Sequence, residues 1–139
     1  MERGLNMEQI EPKKENLGYT VVRYAKPASC TSCQLQLGQW KMYRRRMENR
    51  FASDVSFLFV IDSDQAEYWN VKSLLSMYGF SNDAFIDTAG IFINNNPAVA
   101  PLGSDVTMLT DSQGKIRFIG NPCKSDKTDN LYQKIIRGD

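Results

Sequence analysis

The sequence predicts a single α/β domain with a mixed sheet and helices on both faces, and three observations carry that prediction. Two runs rich in β-branched and aromatic residues, YTVVRYA (Tyr19–Ala25) and VSFLFVI (Val55–Ile61), are separated by a stretch of helical periodicity. Strands joined through a helix run parallel with a right-handed crossover. Further on, Val106–Thr110 and Lys115–Ile119 flank Asp-Ser-Gln-Gly (Asp111–Gly114), the composition of a hairpin turn, so antiparallel strands join the same sheet. A chain of 139 residues suits one such domain, long enough to bury roughly two-thirds of its unfolded surface.

Taken in order, residues 1–18 read as a loose, polar lead-in and residues 19–139 as the domain. The first strand stops at Pro27. Cys33, Leu37, Trp40, Arg44, Met47 and Phe51 then recur at three- and four-residue steps, an amphipathic helix of about five turns. Ser29, Thr31 and Ser32 are candidate caps, because a hydroxyl accepts from the unpaired N–H groups of a first turn. The nearly continuous apolar run of the second strand suits a strand covered on both faces. A second helix begins near Asp62–Asp64, with Asp62 as its cap and Trp69, Leu74, Leu75, Met77 and Tyr78 as its apolar surface, and stops at Gly79. Ala84–Ile86 reads as a short strand and Thr88–Asn95 as a short helical turn, ended by the turn residues Asn94–Pro97. Asp126–Arg137 closes the chain as a helix carrying Leu131, Tyr132, Ile135 and Ile136 at helical spacing.

Composition excludes several functions. With 17 Lys+Arg against 16 Asp+Glu, the formal charge of +1 gives no electrostatic reason for a nucleic-acid or anionic membrane partner. The absence of His rules out a Ser-His-Asp triad, a Cys-His dyad and any Cys2His2 zinc site. The five-residue run Phe57–Ile61 is far short of the roughly 20 residues that span a bilayer. MERGLNMEQIEPKK (residues 1–14) lacks the apolar core of a secretory signal, so the expectation is a cytoplasmic chain or one whose signal or anchor was removed upstream. Arg44, Arg45 and Arg46, with Lys41 and Arg50, fan around their helix as a solvated surface, and Trp40 and Trp69 read as core.

The chemistry in view is Cys30-Thr31-Ser32-Cys33, where the first strand ends and the long helix begins. First-turn N–H groups and the positive end of the helix dipole favour an anion at that place, which lowers the pKa of a thiol there. The thiolate is the attacking species in disulfide exchange. Cys30 is the candidate nucleophile, and Cys33, three residues on, the candidate resolving thiol. The same pair also suits a buried dithiol or an inert staple. Zinc would need Cys123 and a carboxylate as further ligands, and no metal is expected. Cys123, after Gly120-Asn121-Pro122, reads as a bystander.

These stretches resemble the thioredoxin-like superfamily, and within it the bacterial envelope-anchored thiol-disulfide oxidoreductases. The resemblance runs through VVRYAKPASCTSC (Val21–Cys33), FLFVID (Phe57–Asp62) and MLTDSQGKIRFIGNP (Met108–Pro122), within about Tyr19–Arg137. It implies a three-layer sandwich, exchange with protein thiols or disulfides as partners, no bound cofactor, and a periplasmic or cell-envelope address. The sequence also departs from the family pattern. Ser29 precedes the pair, and Thr-Ser lies between the cysteines where thioredoxins carry Gly-Pro. Tyr24 stands where the family has a proton-accepting Asp, and Asp105-Val106 falls where it has a cis-proline, the nearest prolines being Pro97 and Pro101. A cis bond before a non-proline residue costs about 2.5–4 kcal/mol, so a trans backbone is expected there. These departures keep a second reading open, a redox-inactive module of the same fold that binds a protein or peptide. Asp62 is also a candidate proton acceptor near the pair, and Cys30 as a peroxidatic thiol is a third possibility.

Overall fold

The computed structural model describes residues 4–10, 18–27 and 35–138. Within them the elements are β1 (Tyr19–Ala25), α1 (Leu37–Phe51), β2 (Val55–Asp62), α2 (Tyr68–Met77), β3 (Ala84–Asp87), α3 (Ile91–Asn95), β4 (Asp105–Thr110), β5 (Ile116–Ile119) and α4 (Asp126–Arg137). The sheet order is β3-β2-β1-β4-β5. β1, β2 and β3 are parallel, and the hairpin β4–β5 adds antiparallel strands beside β1. This is the mixed α/β sandwich that the sequence predicts. β1 lies at its centre, with β2 on one side and β4 on the other.

Alternation along the central strands sorts the core into two layers. Val21, Phe57, Phe59, Ile61 and Leu109 meet α1, α2 and α4 through Trp40, Tyr43, Met47, Val71, Leu75 and Tyr132. Val22, Tyr24, Leu58, Val60, Val106 and Met108 face the other way, against Phe92 of α3, Val99 and Ile10. Gly18 permits the alignment of β1 with β2 (Tyr19 opposite Val55), because a Cβ there would collide with the Asp54 carbonyl.

The hairpin forms as its composition dictates. Asp111 Oδ1 accepts from the N–H groups of Gln113 (2.9 Å) and Lys115 (3.0 Å), and Gly114 takes a positive φ of 80°. Residues 4–10 of the expected lead-in pack on the second face. Ile10 is buried, Leu5 N–H donates to the Gly114 carbonyl (2.9 Å), and Asn6 and Asn96 exchange two hydrogen bonds of 2.6 and 2.8 Å. Leu5, Met7 and Ile10 supply the apolar contact that a purely polar leader would lack.

Three local expectations are corrected. α2 buries Val71 and Leu75, whereas Trp69 and Met77 are 69% and 70% exposed, because the apolar residues of this short helix occupy more than one face. Asp64, not Asp62, caps the turn leading into α2, accepting from Glu67 N–H at 2.9 Å. Arg44 is not simply solvated; it pairs with Asp83 at 2.8 Å and lies over the Phe80 ring, 4.1 Å from its centroid. No helix among the described residues is long and apolar enough to cross a membrane.

Candidate functional site

The sequence points to the C-terminal edge of the parallel strands, where the chain leaves β1. Cys30 and Cys33 lie outside the described residues, as do the caps Ser29, Thr31 and Ser32. What surrounds the motif on either side in the chain is described in detail.

Just before its last residue, Ala25, β1 carries two consecutive polar side chains, Arg23 and Tyr24, and alternation sends them to opposite faces. Arg23 enters the face covered by α1 and is 1% exposed. In the sheet it stands opposite Phe59 on β2 and Thr107 on β4. Its guanidinium lies 5.4 Å from the centroid of Trp40 and 5.9 Å from that of Phe59. A guanidinium at such a depth persists only if its donors are satisfied. Asp105, the first residue of β4, accepts from Nε at 3.0 Å and from Nη2 at 2.8 Å, the two-pronged geometry of the strongest charge-assisted pairs. Nη1 donates to the carbonyl of Leu35.

That carbonyl belongs to the segment entering α1. Gln36 takes φ 50° and ψ 45°, the left-handed region, immediately before the helix, while Leu35 itself is fully buried. A non-glycine residue there interrupts the regular helical run, so carbonyls near it find partners outside the ladder. Two further polar atoms of this layer, Trp40 Nε1 and Thr107 Oγ1, are buried without a hydrogen-bond partner among the described residues. Both belong to residues that flank Arg23.

On the opposite face the Tyr24 hydroxyl donates to Asp62 Oδ2 at 2.7 Å, and its ring stacks on Phe92 at 5.4 Å between centroids. Burial raises the phenol pKa, and the hydrogen bond and charge of Asp62 and the charge of Asp87 raise it further. The phenol therefore stays protonated and serves as a donor. Asp62, expected as a helix cap, is instead the acceptor of this pair.

Cys123 is half-buried beside the helical layer. Its N–H donates to Asn121 Oδ1 at 2.8 Å, and Gln39 Nε2 of α1 reaches its carbonyl at 3.4 Å. Burial pushes the thiol up to about 12; Arg23 and Arg46 pull it down, and Asp129 pushes it up. It is thus a poor nucleophile, in keeping with the bystander reading. The peptide bonds around Asp105-Val106 are trans, as expected from the cost of the alternative. The backbone of this edge is tied to β1's end by Lys26 N–H to the Ser104 carbonyl, 2.7 Å.

Nothing in the local sequence pattern connects Arg23 to Asp105, which stand 82 residues apart. A signal was present: an arginine within a two-sided apolar strand needs a buried anionic partner, and the antiparallel hairpin beside β1 carries Asp105 at its mouth.

No protein-family model and no curated protein matches the sequence. Solved structures do match. A thioredoxin-like protein in its oxidised form is 11% identical, with a TM-score of 0.63 over 98% of this chain and 86% of its own. A thiol:disulfide interchange protein of the thioredoxin family from Chlorobium tepidum TLS is 13% identical, with a TM-score of 0.61 over 86% of this chain and 79% of its own. A secreted disulfide oxidoreductase from Mycobacterium tuberculosis is 14% identical, with a TM-score of 0.54 over 78% and 72%. This likeness is one of fold.

Proposed function

We propose that this chain, whose fold is thioredoxin-like, is a thiol-disulfide oxidoreductase of the cell envelope that reduces protein disulfides through Cys30 and Cys33. The observation that supports it best is the motif's position in the chain. Cys30-x-x-Cys33 falls between Ala25, the C-terminal residue of the central strand, and Leu37, the first residue of α1. A thiol at the start of a helix is more acidic than a free one, and thiolate is the reactive form. The envelope address draws on the likeness to a secreted oxidoreductase of the same fold.

In this reading the Cys30 thiolate attacks one sulfur of the partner's disulfide. A mixed disulfide forms, and the partner's other sulfur leaves as thiolate. Cys33, as thiolate, then attacks Cys30 Sγ, closing the Cys30–Cys33 disulfide and releasing the partner's second thiolate. Two electrons pass to the partner, and a dithiol reductant restores the pair. Cys123, its thiol held protonated by burial, takes no part.

The test is insulin reduction with dithiothreitol as electron source, alongside the pair's reduction potential in glutathione buffers. Turnover lost in Cys30→Ser, a mixed disulfide accumulating in Cys33→Ser, and a potential between about −120 and −270 mV are expected. Turnover surviving Cys30→Ser, or a potential below about −300 mV, would overturn the reading. The second reading, a binding module without redox turnover, draws on the trans backbone at Asp105-Val106 and on Tyr24 in place of an acidic residue. It predicts background insulin reduction by a folded chain that still retains a partner in pull-downs.

A further inference from the structure

We propose that the open edge of β3 is a docking site for an extended, acidic segment of a partner polypeptide, which adds a strand to the sheet and sets a carboxylate against Lys72. This site stands apart from the exchange chemistry: β2 lies between β3 and β1, and no cysteine takes part.

β3 stands at one end of the sheet order and pairs with β2 alone among the described strands. Phe59 N–H donates to the Asp83 carbonyl at 2.8 Å, and Ser63 N–H to the Asp87 carbonyl at 3.0 Å. In a parallel ladder, residues bonded to the neighbour alternate with residues that face away. Asp83, Phe85 and Asp87 therefore point their backbone groups at β2, whereas the N–H and C=O groups of Ala84 and Ile86 point outward. Those two residues offer two donors and two acceptors to an added strand. With four residues, β3 limits such pairing to a brief segment.

The surface beside that edge is concave. A cavity of about 400 Å³ opens there, lined by Tyr68 and Lys72 of α2, Ala84 and Ile86 of β3, and by Gln9 and Ser81. Its volume lies in the ordinary range of ligand pockets, roughly 300–1,000 Å³. Ala84 and Ile86 share the face of β3 that meets the helical layer, and the small side chain of Ala84 leaves room there.

The charge of the groove is one-sided. Lys72 is its one cation, and no carboxylate lines it among the described residues. Lys72 forms no ion pair among those residues. Its ammonium lies instead 5.8 Å from the Tyr68 ring centroid and 5.1 Å from that of Trp69. Trp69 packs edge-on against Tyr68 at 5.2 Å and keeps most of its ring in solvent. Tryptophan is a residue type on which interfaces concentrate binding energy. Every second side chain of an added strand falls on the α2 side, so Asp or Glu at alternate positions meets Lys72.

The experiment titrates the full chain with capped eight-residue peptides: alternating valine and glutamate, alternating valine and lysine, and the glutamate peptide with proline at every second valine. N-Acetylglutamate is the free-carboxylate control. Binding is read by Trp69 fluorescence and by the amide shifts of Ala84 and Ile86, and self-association by sedimentation.

Saturable binding of the valine–glutamate peptide is expected, with the largest shifts at the Ala84 and Ile86 N–H groups. The lysine and proline peptides should not bind. The dissociation constant should rise about threefold or more in Lys72→Ala and about tenfold in Lys72→Glu. Ala84→Pro should abolish binding and keep the sheet, because that N–H lies outside the β2 ladder and an edge strand tolerates proline. If Ala84→Pro fails to fold, the proline peptide carries the same comparison. Equal binding of the lysine or proline peptide, or displacement by an equal concentration of N-acetylglutamate, would overturn the proposal in favour of a site for charge or a small carboxylate alone. Self-association that fades in Ala84→Pro would overturn it in favour of a second copy of this chain. No binding at about 1 mM peptide would overturn it outright. None of these readouts depends on Cys30 or Cys33, so failure here and failure of the exchange reading are separately visible.

Discussion

On one side of the sheet, α1, α2 and α4 bring large rings together: Trp40 meets Tyr43, Phe57 and Phe59 edge to face, and Phe59 stacks on Phe80 at 4.5 Å. On the other side the covering pieces are short. α3 has five residues, the 3-10 stretch Pro97–Leu102 six, and residues 4–10 lie across them. The first face is closed by apolar area, which needs no exact hydrogen-bond partner. The second is closed by polar groups that pin each short piece. Asp87, fully buried, accepts from the N–H groups of Ala89, Ile91 and Phe92 at 3.2, 3.0 and 2.9 Å. Asn96 binds Asn6 in both directions and returns to the Phe92 carbonyl at 3.0 Å. Elements too short to form by propensity alone are thus held by side chains that satisfy their open ends.

The comparison predicts two different kinds of failure. Trp40→Ala should cost about 3–5 kcal/mol, because a fully buried ring is removed from a layer whose neighbours cannot collapse into the space. The loss should be global, lowering the denaturation midpoint without a change in slope. Asp87→Ala should cost about 2–3 kcal/mol, since three N–H groups lose their acceptor in a buried place. Here hydrogen exchange should rise first at residues 89–96 while α1 stays protected. If the two substitutions gave the same exchange pattern, the distinction between the faces would fail.

Much of this fold is legible in the sequence because strand signals here are strong. β1 and α4 fall at the bounds read from pattern, and β2 gains one residue. α4 is marked at both ends, by Ser125, which accepts from Thr128 N–H at 3.2 Å, and by Gly138 at φ 84°. α2 is less legible: with Trp69, Leu74, Leu75 and Met77 spread around the helix, only packing decides which face is inside. The role of Asn96 was hidden for a different reason. A run of three asparagines reads as turn chemistry, and its partner Asn6 is 90 residues away. The Arg23–Asp105 pair is likewise a contact between distant positions, visible only once the strand order is known. Of the candidate site, the two cysteines were read from spacing, whereas the charged group beside the start of α1 came from topology.

The smallest effect concerns the rim of the ring-packed face. Cys123 lies against that layer, and burial raises its thiol from an ordinary 9.0 to about 12, although Arg23 and Arg46 oppose the shift. Below about pH 9 the thiol is neutral in both the folded and the unfolded chain, so it adds no pH dependence. Between about 9 and 12 the unfolded thiol ionises while the folded one stays neutral, so stability falls as pH rises through that window. Cys123→Ala removes this thiol's contribution and should flatten the alkaline slope of chemical denaturation measured from pH 8 to 11. In the native protein, alkylation of Cys123 should stay slow at pH 9, where an ordinary thiol reacts readily. Alkylation at the rate of a free thiol would mean that water reaches the rim. The ring-packed face would then owe its closure, like the other, to pinned ends as well as to apolar area.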